Sequence, residues 1–466
     1  MEAPECAGCR GRDARLAEQE ARLVALEEEM RQLKAKLGIN ASNSSLPPSA
    51  NPPGAEKPVK KKKSKRKPGG QPGHPPRLKQ LLPPERVHET IPFVPENCAT
   101  CEAKLPAAAS PNDPEPRRFQ TIELPPIVAT VTEYQGQART CACCGEITRA
   151  SIPVEILAHS VGPRLAATLS YLSGCQGLSK RAIGEISETV FQAPVALGTV
   201  ANLEQEMSAA LASAHQQVLE ATRLAPVKHA DETSWKLQGA LCWLWGAATA
   251  SYVAFIIHAK RSAIGLAALL GTEIQGILCS DRWSVYHQVP AERRQICWAH
   301  LKRDFQKIVD RGGPGDQVGR EGRKLVKKVF AAWHAFQDGT CTRIQLQTNV
   351  APVVRRMNRV LIEGMCGDDA TVAEFCNNVL TLEPALWTFL TKEGVEPTNN
   401  HMERLLRRAV LWRKRSFGCW SQAGCRFVER ILTAVQTRRL QGKSALDYLH
   451  NALLAHRQGK PCPTLL

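Results

Sequence analysis

The chain has 466 residues, enough for about two to four domains, and 43% of them are hydrophobic, so a sizeable core can form. Lys and Arg total 61 against 44 Asp and Glu, and the net charge of +17 fits either a polyanionic partner or a merely soluble basic surface. No uninterrupted apolar stretch is long enough to span a bilayer, which argues against a membrane protein. The chain has 17 cysteines, and its N-terminus lacks the apolar segment of a signal peptide. We therefore expect a protein of the reducing cytoplasm, in which paired cysteines bind metal and do not form disulfides.

Residues 1–40 are predicted to hold a short coiled coil. Apolar residues repeat at heptad spacing there, at Leu16, Leu23, Leu26, Met30, Leu33 and Leu37. Such a repeat predicts a homo-oligomer. The alternative is a single amphipathic helix that packs on its own chain.

Residues 41–90 form a predicted linker, because their many prolines exclude regular helix and central strand. The linker contains a run of cations: Lys60, Lys61, Lys62, Lys63, Lys65, Arg66 and Lys67. Such a run suits DNA phosphates and reads no sequence, although a solvated spacer would look the same.

Residues 91–150 predict a zinc ribbon. Cys98-x2-Cys101 and Cys141-x2-Cys144 are two knuckles that can present four thiolates to one Zn²⁺. Cys143 is an alternative ligand in the second knuckle. Alternating and β-branched residues at 122–124 and 127–132 predict strands between the knuckles. The competing interpretation is a basic domain with free cysteines.

Residues 151–222 predict helices with a break near Gln192–Pro194. This pattern fits a DNA-binding helix-turn-helix or an ordinary helical bundle.

Residues 223–303 change character and predict an α/β domain. The expected order is three strands, a helix, a strand, a helix and a strand, which is the order of an RNase H-like core. The predicted strands are 225–236, 241–250, 252–260, 274–280 and 294–298, with a helix at 263–270. Residues 304–395 are a predicted helical insertion, with helices at 324–336, 344–361 and 370–380. Residues 396–440 complete the core as a basic helical segment, and residues 441–466 are a C-terminal helix and tail. The predicted fold class is therefore multidomain α/β.

Three acids stand out by their position. Asp231 lies in the first predicted strand, Asp281 closes a later strand, and Glu403 lies on a late helix capped by Asn399 or Asn400. Carboxylates placed this way can converge on two Mg²⁺ (or Mn²⁺) ions that activate a hydroxyl and stabilise the leaving oxygen of a phosphodiester. Any one of them alone would more often be a surface residue or a helix cap.

Several stretches together resemble the insertion-sequence-66 type of bacterial DDE transposases over almost the whole chain. They are NSSLPPSANPP, KPGGQPGHPP, the two knuckles, HADETSW, CSDRWSVYH, CWAHLKRDF and NNHMERLLRRAVLWRKRSFG. The resemblance implies an RNase H-like catalytic domain with Asp231, Asp281 and Glu403 as the DDE acids. It also implies that Cys297-x2-His300 is a C-x2-H signature. We expect His300 to be an auxiliary residue that positions DNA or supports the active site, and the alternative is a core packing pair.

The function expected is a transposase that binds the ends of its mobile element and catalyses Mg²⁺-dependent DNA cleavage and strand transfer. Its partners would be double-stranded DNA, both terminal inverted repeats and target, and accessory proteins of the same element, in the bacterial cytoplasm and on the nucleoid. Further DNA contacts are expected from the late basic helix: Arg404, Arg407, Arg408, Arg413, Lys414 and Arg415. The other classes considered are a non-catalytic DNA-binding protein and an RNase H-like nuclease or resolvase without strand transfer.

Overall fold

The structure is a computed structural model that describes Arg22, Leu26, Glu29 and residues 81–108, 110–111 and 113–466. Most of the predicted coiled coil and basic linker, including Lys60–Lys67, thus lies outside the described residues. The described chain divides into two units, one that ends at Ile127 and one that runs from Val128 to Leu466.

The strands predicted between the two cysteine knuckles are wrong. Residues 118–137 have no strand, and the side chains of Ile122, Leu124, Val128 and Val131 are exposed. These residues favour strands, but no neighbouring strand pairs with them. The preference of a residue for a strand is realised only when it packs against such a neighbour. The strands instead flank the second knuckle, where β1 (Ala138–Thr140) pairs antiparallel with β2 (Ile147–Arg149).

The next segment is helical, as predicted, and its break falls where the sequence placed it. A short α1 (Val154–Leu157) is followed by four longer helices: α2 (Pro163–Gln176), α3 (Lys180–Thr189), α4 (Leu197–Ala210) and α5 (Ala212–Leu224). Buried residues of α2, α4 and α5 share one hydrophobic cluster with Ala230 and Trp245 of the following sheet. These helices therefore pack on the α/β core.

A five-stranded mixed sheet is the centre of this unit. Its strands are β3 (Val227–Leu237), β4 (Ala240–Ala248), β5 (Val253–His258), β6 (Ile277–Ser280) and β7 (Arg294–Ile296). The order across the sheet is β5-β4-β3-β6-β7, antiparallel from β3 to β5 and parallel from β3 to β7. A helix, α6 (Ala263–Leu270), joins β5 to β6 as predicted. The helix that was predicted between β6 and β7 is not an α-helix. Two short 3-10 helices, Ser284–Gln288 and Ala291–Arg293, lie there instead.

The predicted helical insertion is helical. It contains α8 (Asp316–Gln337), α9 (Arg343–Met365), α10 (Ala370–Leu380) and α11 (Glu383–Thr391). The helix before them, α7 (Trp298–Arg311), starts directly after β7 and so crosses the predicted start of the insertion. Together these helices form a second hydrophobic cluster against Cys279 and Ile296.

Of the last three helices, the first two pack on the sheet and the third packs on other helices. They are α12 (Asn400–Ser416), α13 (Gln422–Leu440) and α14 (Ala445–Arg457). Helix α13 covers the free edge of β5, where Val253 N–H donates to Thr437 Oγ1 and Phe255 N–H donates to Thr433 Oγ1, both at 3.1 Å. Every second strand residue thereby meets every fourth helix residue, since both steps rise about 6–7 Å. The exposed edge of the sheet is closed in this way.

Within the described part of the chain, no helix is long and apolar enough to cross a membrane.

Candidate active site

Asp231 lies within β3, on the face of the sheet that α12 covers. Side chains alternate between the two faces of a strand, and Trp235, on the same face, packs in one cluster with Met402 of α12. In the antiparallel register, Asp231 is opposite Gly246 of β4. Its Oδ1 accepts the N–H of Glu232 at 2.9 Å.

Asp281 follows the last residue of β6, the strand parallel to β3. The parallel register pairs Val227 with Ile277 and ends where His229 pairs with Cys279, so Asp231 and Asp281 each lie two residues beyond the last pair. The Oδ1 of Asp281 accepts the N–H of Trp283 at 2.9 Å. The two aspartates thus lie just beyond the paired residues of the same two adjacent strands.

Glu403 lies in the first turn of α12, and Gly246 allows that helix to come close. A Cβ added to Gly246 would lie 2.3 Å from Cε of Met402, the residue before Glu403. Because Gly246 is also opposite Asp231, the missing side chain lets the Glu403 turn pack directly over the β3 acid.

Asn399 holds the start of α12 in place, although not as the predicted side-chain cap. Its Nδ2 donates to Ala230 O at 2.8 Å, and its Oδ1 lies 3.2 Å from Nδ1 of His229. Its backbone N–H donates to Cys297 Sγ at 3.1 Å. The buried Asn399 therefore joins β3, the end of β7 and the helix that carries Glu403.

The charges of the other two acids act on Asp231. Burial raises the pKa of Asp231 well above its ordinary value, and the nearby charges of Glu232, Asp281 and Glu403 raise it further. Carboxylates crowded in this way repel one another unless a proton or a cation neutralises them.

His300 faces Glu403 from the first turn of α7. Its Nδ1 lies 3.6 Å from Glu403 Oε1, and Arg303 Nη2 lies 4.0 Å from the same oxygen. Within the described structure, both His300 Nδ1 and Glu403 Oε1 are buried without a hydrogen-bond partner. Burial lowers the pKa of His300, which keeps the imidazole neutral near pH 7. The geometry fits a residue that supports Glu403.

Cys297 completes a group with His300 and Glu403 whose ligand atoms all lie within 4.8 Å of one another. The thiol is buried at the N-terminal end of α7, and burial raises its pKa to about 11. A neutral thiol that accepts a backbone N–H is a poor ligand for a hard cation. Cys297 therefore contributes to packing, and His300 is the member of the pair that meets the acids.

Glu232 belongs to a different network on the opposite face of the sheet. Its buried carboxylate pairs with the exposed Arg261 at 2.6 Å and accepts a hydrogen bond from the Tyr286 hydroxyl at 2.8 Å. The Arg261 guanidinium lies 4.0 Å from the ring of Trp283 and 5.0 Å from that of Trp243. The sequence shows Glu232 only as a neighbour of Asp231, and this ion pair depends on tertiary packing.

Arg294 is a second residue that sequence reasoning missed. Its buried guanidinium donates to the backbone oxygen of Asp281 at 3.1 Å, and burial lowers its pKa to about 10. It places a positive charge directly behind one of the acids. No local motif marks it, because a single Arg in a short strand has no periodic signal.

The cations of α12 divide into two groups. Five of them are exposed: Arg404, Arg407, Arg408, Lys414 and Arg415. Arg413, also predicted to bind DNA, is half-buried and donates to Thr233 Oγ1 at 3.2 Å and to Ser234. That residue ties α12 to β3, because its guanidinium is already satisfied by the strand.

The two cysteine knuckles have the same backbone turn. Glu102 N–H donates to Cys98 O at 3.0 Å, and Gly145 N–H donates to Cys141 O at 2.9 Å. Glu102 and Gly145 both have positive φ, 59° and 75°. Each turn thereby exposes the first cysteine together with the cysteine three positions later.

This equivalence distinguishes Cys141 from Cys143. Backbone N–H groups of Thr100 and Cys101 lower the pKa of Cys98, and those of Cys144 and Cys143 lower the pKa of Cys141. Cys143 therefore corresponds to Thr100, a donor within the turn. The knuckles belong to separate units, so the four-cysteine zinc site stays a prediction.

Comparison with known proteins found two families. The profile described as Transposase IS66 family matches residues 159–426, a range that contains all three acids and Cys297–His300. A family of unknown function, DUF6444, matches residues 2–79. The uncharacterized protein y4qI of Sinorhizobium fredii is 26% identical over an alignment of 245 residues. The alignment covers 47% of this chain and 44% of that protein. The match therefore spans less than half the length of that relative.

Proposed function

This chain belongs to the IS66 transposase family, and from that premise we propose that it is a DDE transposase that cuts the ends of its mobile element and joins them to target DNA. The observation that supports the proposal is that the carboxylates of Asp281 and Glu403, which come from other elements, both raise the pKa of the buried Asp231. Asp231 comes from β3, Asp281 from the end of β6 and Glu403 from the first turn of α12.

The proposed core is RNase H-like. Three antiparallel strands followed by two parallel ones, with the first strand in the middle of the sheet, support this assignment. Asp231 lies within β3 and Asp281 directly follows the parallel β6, so both acids come from two adjacent strands at the centre of such a sheet.

The residues present fit hard divalent cations, Mg²⁺ or Mn²⁺, held by Asp231, Asp281 and Glu403. Burial and the neighbouring carboxylates raise the pKa of Asp231, and a cation bound among these hard carboxylate oxygens would relieve their repulsion. When bound, two such ions would activate the attacking hydroxyl and neutralise the departing oxygen. In this proposal Asn399 and Gly246 hold Glu403 over the aspartates, and His300 supports its carboxylate.

The remaining predicted sites have roles in binding DNA ends. The exposed cations of α12 and the run Lys60–Lys67 would contact phosphates, which gives affinity without reading sequence. Zn²⁺ held by Cys98, Cys101, Cys141 and Cys144 would fold a zinc ribbon. The heptad of residues 1–40 would assemble the homo-oligomer that holds two ends together.

The test is cleavage and joining of labelled element ends in Mg²⁺. We expect Asp231→Asn, Asp281→Asn and Glu403→Gln each to reduce cleavage by orders of magnitude, while retardation of an end-bearing fragment stays near that of the unaltered protein. An amide keeps the shape of the carboxylate and removes only its charge.

Glu396→Gln is the matched control, since Glu396 precedes α12 and is not one of the three acids. Glu232 is unsuitable as a control because its amide would break the ion pair with Arg261. Near-normal cleavage by any of the three amide variants would remove that residue from the site. Cleavage without joining would identify a nuclease instead.

A further inference from the structure

The loop between α12 and α13 exposes two large aromatic side chains. Phe417 is 75% exposed and Trp420 is 78% exposed. Such side chains are normally buried, and two of them in one short loop suggest a surface that meets a partner.

This loop is held rigidly against the β3–β4 hairpin. Cys419 N–H donates to Lys236 O and Gln238 N–H donates to Cys419 O, both at 2.8 Å. Gly418 has a φ of 109°, and a Cβ there would lie 2.2 Å from Lys236 O. Phe417 has a φ of 59°, which is uncommon for a non-glycine residue and costs strain. The two rings therefore project from a fixed backbone.

Two separate elements connect the loop to the candidate active site. A strand rises about 3.3 Å per residue, so Asp231 and Leu237 are about 20 Å apart along β3. A helix rises about 1.5 Å per residue, so Glu403 and Phe417 are about 21 Å apart along α12. Because one strand of duplex DNA rises about 3.4 Å per nucleotide, this distance corresponds to about six nucleotides.

The surface between the acids and the loop is cationic. The exposed residues Arg404, Arg407, Arg408, Lys414 and Arg415 recur at helical spacing along α12. Arg408 and Arg415 also line a notch of about 120 Å³ beside Gly177, at the end of α2. A polyanion that reaches the acids along this face would pass the aromatic loop.

We propose that Phe417 and Trp420 form a stacking platform for an unpaired DNA base, about six nucleotides from the phosphate that is cut. This inference rests on the proposed function for the identity of the polyanion. The bound group is an unpaired base because its ring faces are open to an aromatic side chain, whereas neighbouring bases cover those faces within a duplex. Both element ends and target DNA would expose such a base when they are distorted for cleavage.

The test is DNA binding in the Asp231→Asn background, where the proposed cleavage is absent and binding is measured by itself. Two fragments are compared, one fully paired and one with two unpaired nucleotides about six positions from the cut end. We expect tighter binding of the second fragment. Trp420→Ala should weaken that binding about 5- to 150-fold, the range for one lost base–aromatic stack, and change binding of the paired fragment less than about twofold.

Trp420→Phe and Phe417→Tyr are the matched controls, because they keep a ring and should retain the preference. A 2-aminopurine at the unpaired position should be quenched by the unaltered loop and not by Trp420→Ala. Equal weakening for both fragments, or no weakening, would overturn the proposal. So would a change of oligomeric state in light scattering with the DNA preference intact, since the rings would then bind a second copy of the chain. If the protein with Asp231 intact fails to cleave element ends while the preference for unpaired nucleotides is present, only the proposed function is refuted.

Discussion

Replacing Asp231 with Asn should make the metal-free protein more stable while it abolishes catalysis. The pKa of Asp231 is raised by burial and by Glu232, Asp281 and Glu403, so its ionised form is unfavourable in the folded state. The amide removes that charge and keeps an oxygen that accepts the N–H of Glu232. Each pKa unit of elevation corresponds to about 1.4 kcal/mol in the free energy of unfolding.

The pH dependence follows from the direction of the shift. A carboxyl group with a raised pKa binds its proton more tightly in the folded chain than in the unfolded chain. The contribution of Asp231 to the free energy of unfolding is therefore largest at low pH. It falls as the pH rises from the ordinary pKa of 3.8 through the folded pKa, and it is constant above that value. In Asp231→Asn this fall should be absent. Glu429, whose pKa burial raises to about 7, should add a similar fall between pH 4.5 and about 7 in both proteins.

The response to Mg²⁺ distinguishes the effect of Asp231 on stability from that of Glu429. A cation that binds only the folded protein stabilises it by about 2.7 kcal/mol at a concentration 100 times its Kd. At pH 8 we expect Mg²⁺ to stabilise the unaltered protein and to have little effect on Asp231→Asn. Glu429 accepts the Ile257 N–H within the sheet edge and should not respond to the ion.

The assay is thermal and urea unfolding at pH 5 and pH 8, in EDTA and in Mg²⁺. Asp368→Asn is the matched control, since Asp368 is exposed in the loop before α10. The reasoning would be refuted if Asp231→Asn is no more stable than the unaltered protein at pH 8 in EDTA. Equal stabilisation of both proteins by Mg²⁺ would also refute it.

Three further predictions follow from single residues. Gly246→Ala should cost about 1–3 kcal/mol in the free energy of unfolding, measured with urea, because an added Cβ would lie 2.3 Å from Met402 Cε and 3.0 Å from the Phe255 ring; since Cε ends a flexible side chain, α12 should keep its position and cleavage should fall less than in the amide variants. Asn399→Ala should lower the free energy of unfolding by about 2–5 kcal/mol, because it leaves buried groups on β3 without a hydrogen-bond partner. Urea unfolding will measure the change, and an unchanged midpoint would contradict the role of Asn399 in joining α12 to β3. Purified protein should contain about one Zn²⁺ per chain, and Cys141→Ser should lose it whereas Cys143→Ser keeps it; elemental analysis that finds zinc in Cys141→Ser and none in Cys143→Ser would reverse that assignment.

Local pattern determined much of this protein. The apolar runs predicted all five strands of the central sheet and helix α6, because a strand or helix buried in a core needs apolar residues at its own period. Asp231, Asp281 and Glu403 were predicted as the acids from their positions in predicted elements and from the resemblance, and their catalytic role stays a prediction. The heptad and Lys60–Lys67 also remain predictions, since most of the heptad and the whole basic run lie outside the described residues.

Only the tertiary structure decided how these parts meet. The strands expected at 122–132 do not form, because strand propensity needs a pairing partner that no sequence window shows. Arg413 carries the same charge as the other cations of α12, and only the tertiary structure shows that its guanidinium donates hydrogen bonds to β3. Likewise Gly246, Asn399 and Arg294 lie far along the chain from most of the acids they position, and their roles arise from contacts between distant segments. Such contacts depend on three-dimensional distance, which a local sequence pattern does not contain.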